Sequence, residues 1–296
     1  MDRFSGCAPA YICQLLQKGC AGTVEMVNSR GIYLQLGDRH VLLCPGVYGT
    51  VPNGIALDGW ERLPAMLATG QPVRVEAGKI FFPSGAWELQ LRSVPRDTQL
   101  RFPEEKGLRA GTEVLLANTK PTGLSCLAYP LLAGQMPQMN PFCRVALPHA
   151  QALLQALPEE NAAAIREAVG CLLGLGPGLT PSGDDLLSGL MYGLRHSGAR
   201  DTAVCAALTQ AIRELAGTRT NAVSADYLLA MADDAPFALM AAAWEDPAAG
   251  AEGLLHIGSN AGSEMLLGLL CAATVVPVLV KKYGKEKHSD LACDQT

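Results

Sequence analysis

The spacing of apolar residues changes once along this chain, and that change limits what it can fold into. Before about residue 96, apolar and polar residues alternate in short runs at 23–27, 32–36, 40–44, 73–75, 80–82 and 87–91. Turn-forming residues separate these runs: Asn28-Ser29-Arg30-Gly31, Gly37-Asp38, Gly78 and Pro83-Ser84-Gly85. One short helix is expected over 60–68. A polar stretch, punctuated by Val94-Pro95-Arg96-Asp97 and Phe102-Pro103, reads as a linker. After it, alanine and leucine recur at helical spacing, predicting helices over 108–117, 124–132, 150–157, 159–173, 184–194, 202–216, 222–231, 236–244 and 263–280. The expected fold class is α+β. A small, mostly antiparallel β domain covers 1–96, a larger mainly α-helical domain covers 97–285, and a flexible tail covers 286–296.

Composition removes several functions. The chain is 49% hydrophobic and 17% charged, enough apolar material for a packed core. Its net charge is −5 and its body has no dense basic run, which argues against a nucleic-acid partner. Ten cysteines occur without a C-x-x-C pair or a Cys/His ligand quartet, so they read as small buried hydrophobes in a reducing, cytoplasmic setting. No metal site is expected. The apolar run 265–280 is shorter than the roughly 20 residues a bilayer needs and contains Pro277, so it reads as a buried core helix rather than a membrane span.

The chemistry-bearing segment is Gly174-Leu175-Gly176-Pro177-Gly178-Leu179-Thr180-Pro181-Ser182-Gly183-Asp184-Asp185, which runs into an apolar helix. Glycines permit close approach to a ligand, and a helix start offers N–H donors and a positive dipole end. Together they suit a phosphate or carboxylate. The structural alternative is a Ser182–Asp185 capping box behind a proline-stiffened turn. A second entry, Gly258-Ser259-Asn260-Ala261-Gly262-Ser263-Glu264, shares the pattern Gly-x-acid-x-Leu-x-Gly-Leu when Gly183 is aligned with Gly262. The repeat predicts paired helices whose N-termini converge on one pocket. A third segment places Arg219, Thr220 and Ser224 near a helix start. Thr220 and Ser224 share a face, Arg219 suits an anion, and Asn221 alternatively serves as an N-cap.

The candidate ligand-binding residues are Gly176, Gly178, Thr180, Ser182, Gly183, Arg219, Thr220, Ser224, Asn260, Gly262, Ser263 and Glu264. Asp184 and Asp185 are the candidate catalytic carboxylates. They suit a general base or a magnesium ion, although no cofactor is required by the sequence. Asp184 is favoured for facing the ligand, with Asp185 engaged in the cap.

The first loop, continuing through Leu187-Ser188-Gly189, resembles the signature of the AllH family, and the resemblance extends through Thr220, Ser224, Tyr227 and 258–268. It implies a subunit of oxamate carbamoyltransferase, which interconverts oxalurate plus phosphate with oxamate plus carbamoyl phosphate. The implied partners are an FdrA-like AllF subunit and an AllG-like subunit. Three positions depart from the pattern: Ala261 replaces a hydroxyl residue, Glu264 an aspartate, and Asn221 a threonine. Two other readings compete with this one, a non-catalytic scaffold in an FdrA-like complex and a magnesium-dependent hydrolase.

Overall fold

The computed structural model describes residues 2–83, 85–96 and 99–293. Ser84 of the expected turn, Asp97 of the expected linker and 294–296 of the expected tail lie outside the described residues. The chain divides into two compact units.

The first unit is Met1–Asp97 together with Asp233–Leu239. Its strands are β1 (Asp2–Pro9), β2 (Cys20–Asn28), β3 (Gly31–Leu36), β4 (Arg39–Pro45), β5 (Gly54–Leu57), β6 (Pro72–Glu76), β7 (Lys79–Phe82) and β8 (Gly85–Val94). The alternating runs do form strands, and the short turns join antiparallel neighbours β2–β3, β3–β4, β6–β7 and β7–β8. The expectation of a simple antiparallel domain is corrected, because the sheet is a closed barrel in the order β1-β5-β4-β3-β2-β6-β7-β8. Two parallel pairings, β4–β5 and β1–β8, make closure possible. Closure leaves no strand edge unpaired, and alternate side chains fill the interior. Ile32, Leu34, Leu36, Val41, Leu43, Ile55, Leu57, Val75 and Ile80 form this core, joined by Ile12 and Leu16 of α1 (Ala10–Lys18).

The helix expected at 60–68 is two 3-10 turns, Trp60–Arg62 and Pro64–Met66. Pro64 has no N–H to continue an α-helical ladder.

The second unit is helical: α2 (Glu105–Ala117), α3 (Pro141–Glu159), α4 (Ala162–Leu172), α5 (Ser182–Arg195), α6 (Ala203–Arg219), α7 (Ala222–Ala232), α8 (Ala238–Glu245), α9 (Pro247–Leu255) and α10 (Ala261–Cys293). The helix expected at 124–132 is a 3-10 turn, Ser125–Leu127, followed by a π turn, Tyr129–Ala133. Pro130 lacks the donor that a regular α-helix would use there.

The helix expected at 263–280 is longer than its apolar run suggested and passes through Pro277. The segment Ala261–Tyr283 contains an 18-residue stretch of mean hydropathy 2.0 and is long and apolar enough to cross a membrane. The shortness inferred from sequence is therefore corrected. With 78% of its most apolar stretch buried inside the protein, the segment is a core helix of this unit.

Candidate functional site

Helices α5 and α10 lie side by side and parallel, because glycines remove the side chains that would hold them apart. A Cβ on Gly189 would sit 2.0 Å from the Met265 carbonyl oxygen, and one on Gly268 would sit 2.1 Å from that of Leu186. The offset that aligns Gly183 with Gly262 exchanges these two contacts. It also places Gly193 against Ala272. The contacts advance in the same direction along both helices, so the two N-termini lie at one end.

Their entry loops repeat the same construction. The Gly183 amide donates to Leu175 O at 2.9 Å, and the Gly262 amide to Ile257 O at 3.2 Å. A Cβ on Gly183 would meet Leu172 O, and one on Gly262 would meet Leu254 O. Thus α4–loop–α5 and α9–loop–α10 are equivalent units. The sequence reading missed α9, although Asp246 caps it by accepting from the Ala248 and Ala249 amides.

Asp184 is the anchor of the first loop. It is 1% exposed. Its Oδ1 accepts from the Gly174 amide at 2.7 Å, and its Oδ2 accepts from Ser224 Oγ at 2.6 Å and from Thr220 Oγ1. Gly174 adopts φ +76, and a Cβ there would strike the Arg219 carbonyl. Only glycine accommodates both demands. Burial pushes the Asp184 carboxyl up, and the three donors pull it back. The hydroxyls expected to share a helix face therefore converge on Asp184, tying α5 to the start of α7.

Asp185 has a different environment. It is 1% exposed, and neither carboxyl oxygen has a hydrogen-bond partner. The capping role expected for it is absent: Pro181 is the N-cap of α5, with no side-chain cap bond. Burial is the largest cause holding its carboxyl well above the usual range, followed by the neighbouring charges of Glu264 and Asp184; the Thr180 hydroxyl opposes them. Glu264 occupies the equivalent place on α10 and is also 1% exposed. Its Oε1 accepts from the Leu124 amide at 2.7 Å, while Oε2 has no partner. Burial pushes Glu264 up to about 7 against the lowering effects of the Leu124 amide and the Ser182 hydroxyl. Hydrogen bonding from the Thr180 and Ser182 hydroxyls thus lowers the two acids, although Asp185 Oδ1 and Oδ2 and Glu264 Oε2 have no partner of normal geometry. Two buried carboxyls at joined helix starts cannot both ionise cheaply near neutral pH, which favours keeping one proton on the pair.

This geometry changes what the helix entrances offer. The amides of Asp184 and Asp185 donate to Pro181 O, and those of Ser263 and Glu264 donate to Asn260 O. With Gly183 and Gly262 also donating within their loops, these six amides are not free for an anion. The entrances do meet, and the side-chain atoms left without partners there are carboxyl oxygens of Asp185 and Glu264.

The remaining predicted residues fall around this centre. Ser263 is buried and donates to Asn260 O at 2.6 Å, while the Asn260 amide donates to Thr122 Oγ1 at 3.2 Å. Gly176 and Thr180 are half-buried, and Gly178 and Arg219 are exposed. Arg219 contributes only its carbonyl beneath Gly174, and Asn221 caps α7 by accepting from the Ser224 amide at 3.1 Å. Among the described residues, no group of three or more His, Cys, Asp or Glu side chains is placed to hold a metal ion.

Sequence reasoning missed the loop at 121–124, which covers Glu264. Gly123 adopts φ +75, and a Cβ there would lie 2.0 Å from Glu264 Oε1. Asn140 holds this loop from α3, donating to Gly123 O at 2.9 Å and accepting from the Cys143 amide as N-cap. The Asn140-Pro141 pair was a readable helix-start signal. Its link to Glu264 depends on tertiary structure.

The fold and site define a helical unit built from two equivalent helix–loop–helix entries with a buried acid pair between them. Residues 172–273 match the family model described as oxamate carbamoyltransferase subunit AllH. The match takes in Asp184, Asp185 and Glu264, so the resemblance read from the loop signature extends over this segment. No curated protein and no solved structure matches the chain.

Proposed function

We propose that this chain is a subunit of a carbamoyltransferase of the oxamate carbamoyltransferase type, and that Asp185 and Glu264 handle the amide end of its substrate. The observation that carries this reading is Asp185: a buried carboxyl with two unpartnered oxygens, beside a second buried acid within the family-matching segment. Oxamate, oxalurate and carbamoyl phosphate all present amide N–H donors. An ionised member of the pair accepts such a hydrogen bond, and a protonated member donates to a carbonyl or leaving nitrogen. Asp184 then acts as a positioning residue, since its oxygens already serve three donors.

The substrate's anionic end is assigned to the more accessible rim bearing Gly176, Gly178, Thr180 and Arg219, completed by AllF- and AllG-like partners in the cytoplasm. Both acids are 1% exposed, so a covering loop must move before a ligand reaches them. Co-expression with the partner subunits and an assay of carbamoyl phosphate formation from oxalurate and phosphate test this reading. Asp185→Asn should assemble normally and lose turnover by about a hundredfold, the scale of a lost general acid–base.

One observation favours a second reading, a non-catalytic scaffold. The loop amides and Asp184 are already satisfied internally, as packing devices would be. A scaffold predicts full turnover in assembled Asp185→Asn enzyme.

A further inference from the structure

The ten cysteines show no metal-like or C-x-x-C spacing, yet two of them meet in the fold. Cys126, after the 121–124 loop, and Cys143, in the first turn of α3, place their sulfurs 2.7 Å apart. Both are free thiols; Cys126 is half-buried and Cys143 is buried. We propose that Cys126 and Cys143 form a reversible disulfide by exchange with a small-molecule disulfide, and that its formation changes the hold of the 121–124 loop on Glu264.

Three features support the pair as a reactive dithiol. First, the sulfurs already touch, so closing the bond needs little chain movement. Second, the more accessible sulfur is the one suited to attack. Hydrogen bonding from Cys143 brings the Cys126 thiol down to about 7, against the raising effect of burial, while Cys143 is raised by the same contact. Burial instead raises Cys44 and Cys271, as expected of inert core thiols. Third, Gly123 O lies 3.2 Å from Cys143 Sγ as the alternative acceptor for its one S–H, in the loop whose Leu124 amide binds Glu264.

The reaction balances as thiol–disulfide exchange. The Cys126 thiolate attacks one sulfur of the small disulfide, breaking its S–S bond and releasing one small thiolate. Cys143 gives up its proton and attacks the Cys126 sulfur of the mixed disulfide, releasing the second. The two cysteines are oxidised, the small disulfide is reduced to two thiols, and the two cysteine protons end on those thiols. Cys143 then has no S–H to donate to Gly123 O, leaving Asn140 Nδ2 to hold that carbonyl. Disulfides of this kind in a reducing compartment are transient and redox-sensing rather than structural.

The test uses the full chain and glutathione disulfide in graded glutathione buffers, read by alkylation and peptide mass spectrometry. The expected result is loss of two alkylatable thiols and one cross-linked peptide pair containing Cys126 and Cys143. Cys143→Ser should stop at a Cys126 glutathione adduct, and Cys126→Ser should prevent the cross-link. A wild-type chain that is folded by circular dichroism yet keeps both thiols alkylatable, or cross-links other cysteines instead, overturns the site. Hydrogen exchange at the Leu124 amide tests the coupling: at least threefold faster exchange in the oxidised chain supports it, and unchanged exchange overturns it. Neither readout depends on carbamoyl transfer, so failure here is distinct from failure of the functional reading.

Discussion

Glutamine at position 264 should make the protein more stable at alkaline pH than the natural glutamate does. Glu264 is pushed up to about 7 in the folded chain, against an ordinary value of 4.5. A carboxyl raised on folding binds its proton more tightly in the native state. Its favourable contribution is complete below about pH 4.5 and is lost as pH climbs through 7. At about 1.4 kcal/mol per pH unit between the two values, the full loss is about 3 kcal/mol, of which about 2 kcal/mol falls between pH 5.5 and 8. Glutamine does not titrate, keeps an Oε1 acceptor for the Leu124 amide, and gives Asp185 an N–H donor it lacks. Urea unfolding of wild type and Glu264→Gln, followed by the helical circular dichroism signal at both pH values, measures the difference. The variant's advantage should widen by about 2 kcal/mol from pH 5.5 to 8. An advantage of the same size at both would refute a raised Glu264 carboxyl.

Other consequences follow from the packing. Gly189→Ala forces a methyl to within 2.0 Å of the Met265 carbonyl oxygen, so it should cost about 3 kcal/mol of stability in urea unfolding, and Gly268→Ala should behave alike. Ser224→Ala removes one donor from the buried Asp184 and should cost about 2 kcal/mol by the same measurement. Asp184→Asn should lower stability rather than selectively abolish turnover, because its two acceptor oxygens cannot both be reproduced by an amide; equal stability with lost activity would move Asp184 into the chemistry.

Much of this architecture was legible in the sequence because local periodicity reports local structure. The alternating runs became β2, β3, β4, β6, β7 and β8, and the Gly-x-acid-x-Leu-x-Gly-Leu repeat marked α5 and α10 as equivalent helices. Barrel closure was hidden because β1, with its small and polar residues DRFSGCAP, lacks a clear alternation, and its partner β8 lies far along the chain. At the site, the acids were visible as residue types, but their state was not. Whether a helix-start carboxylate caps its own helix or stands unpartnered is decided by tertiary neighbours. Here those neighbours favoured donors to Asp184 and left Asp185 facing Glu264. The Cys126–Cys143 contact and the Leu124 bond to Glu264 were likewise set by folding over long sequence separations.

Infrared spectroscopy of the carboxyl C=O stretch tests the shared proton most directly. At pH 6.5 the folded wild-type chain should show a protonated-carboxyl band that is lost on unfolding and diminished in Asp185→Asn. A native spectrum at that pH with only ionised carboxylates would mean that both acids are charged, and the two helix entrances would then not enclose a proton-holding pair.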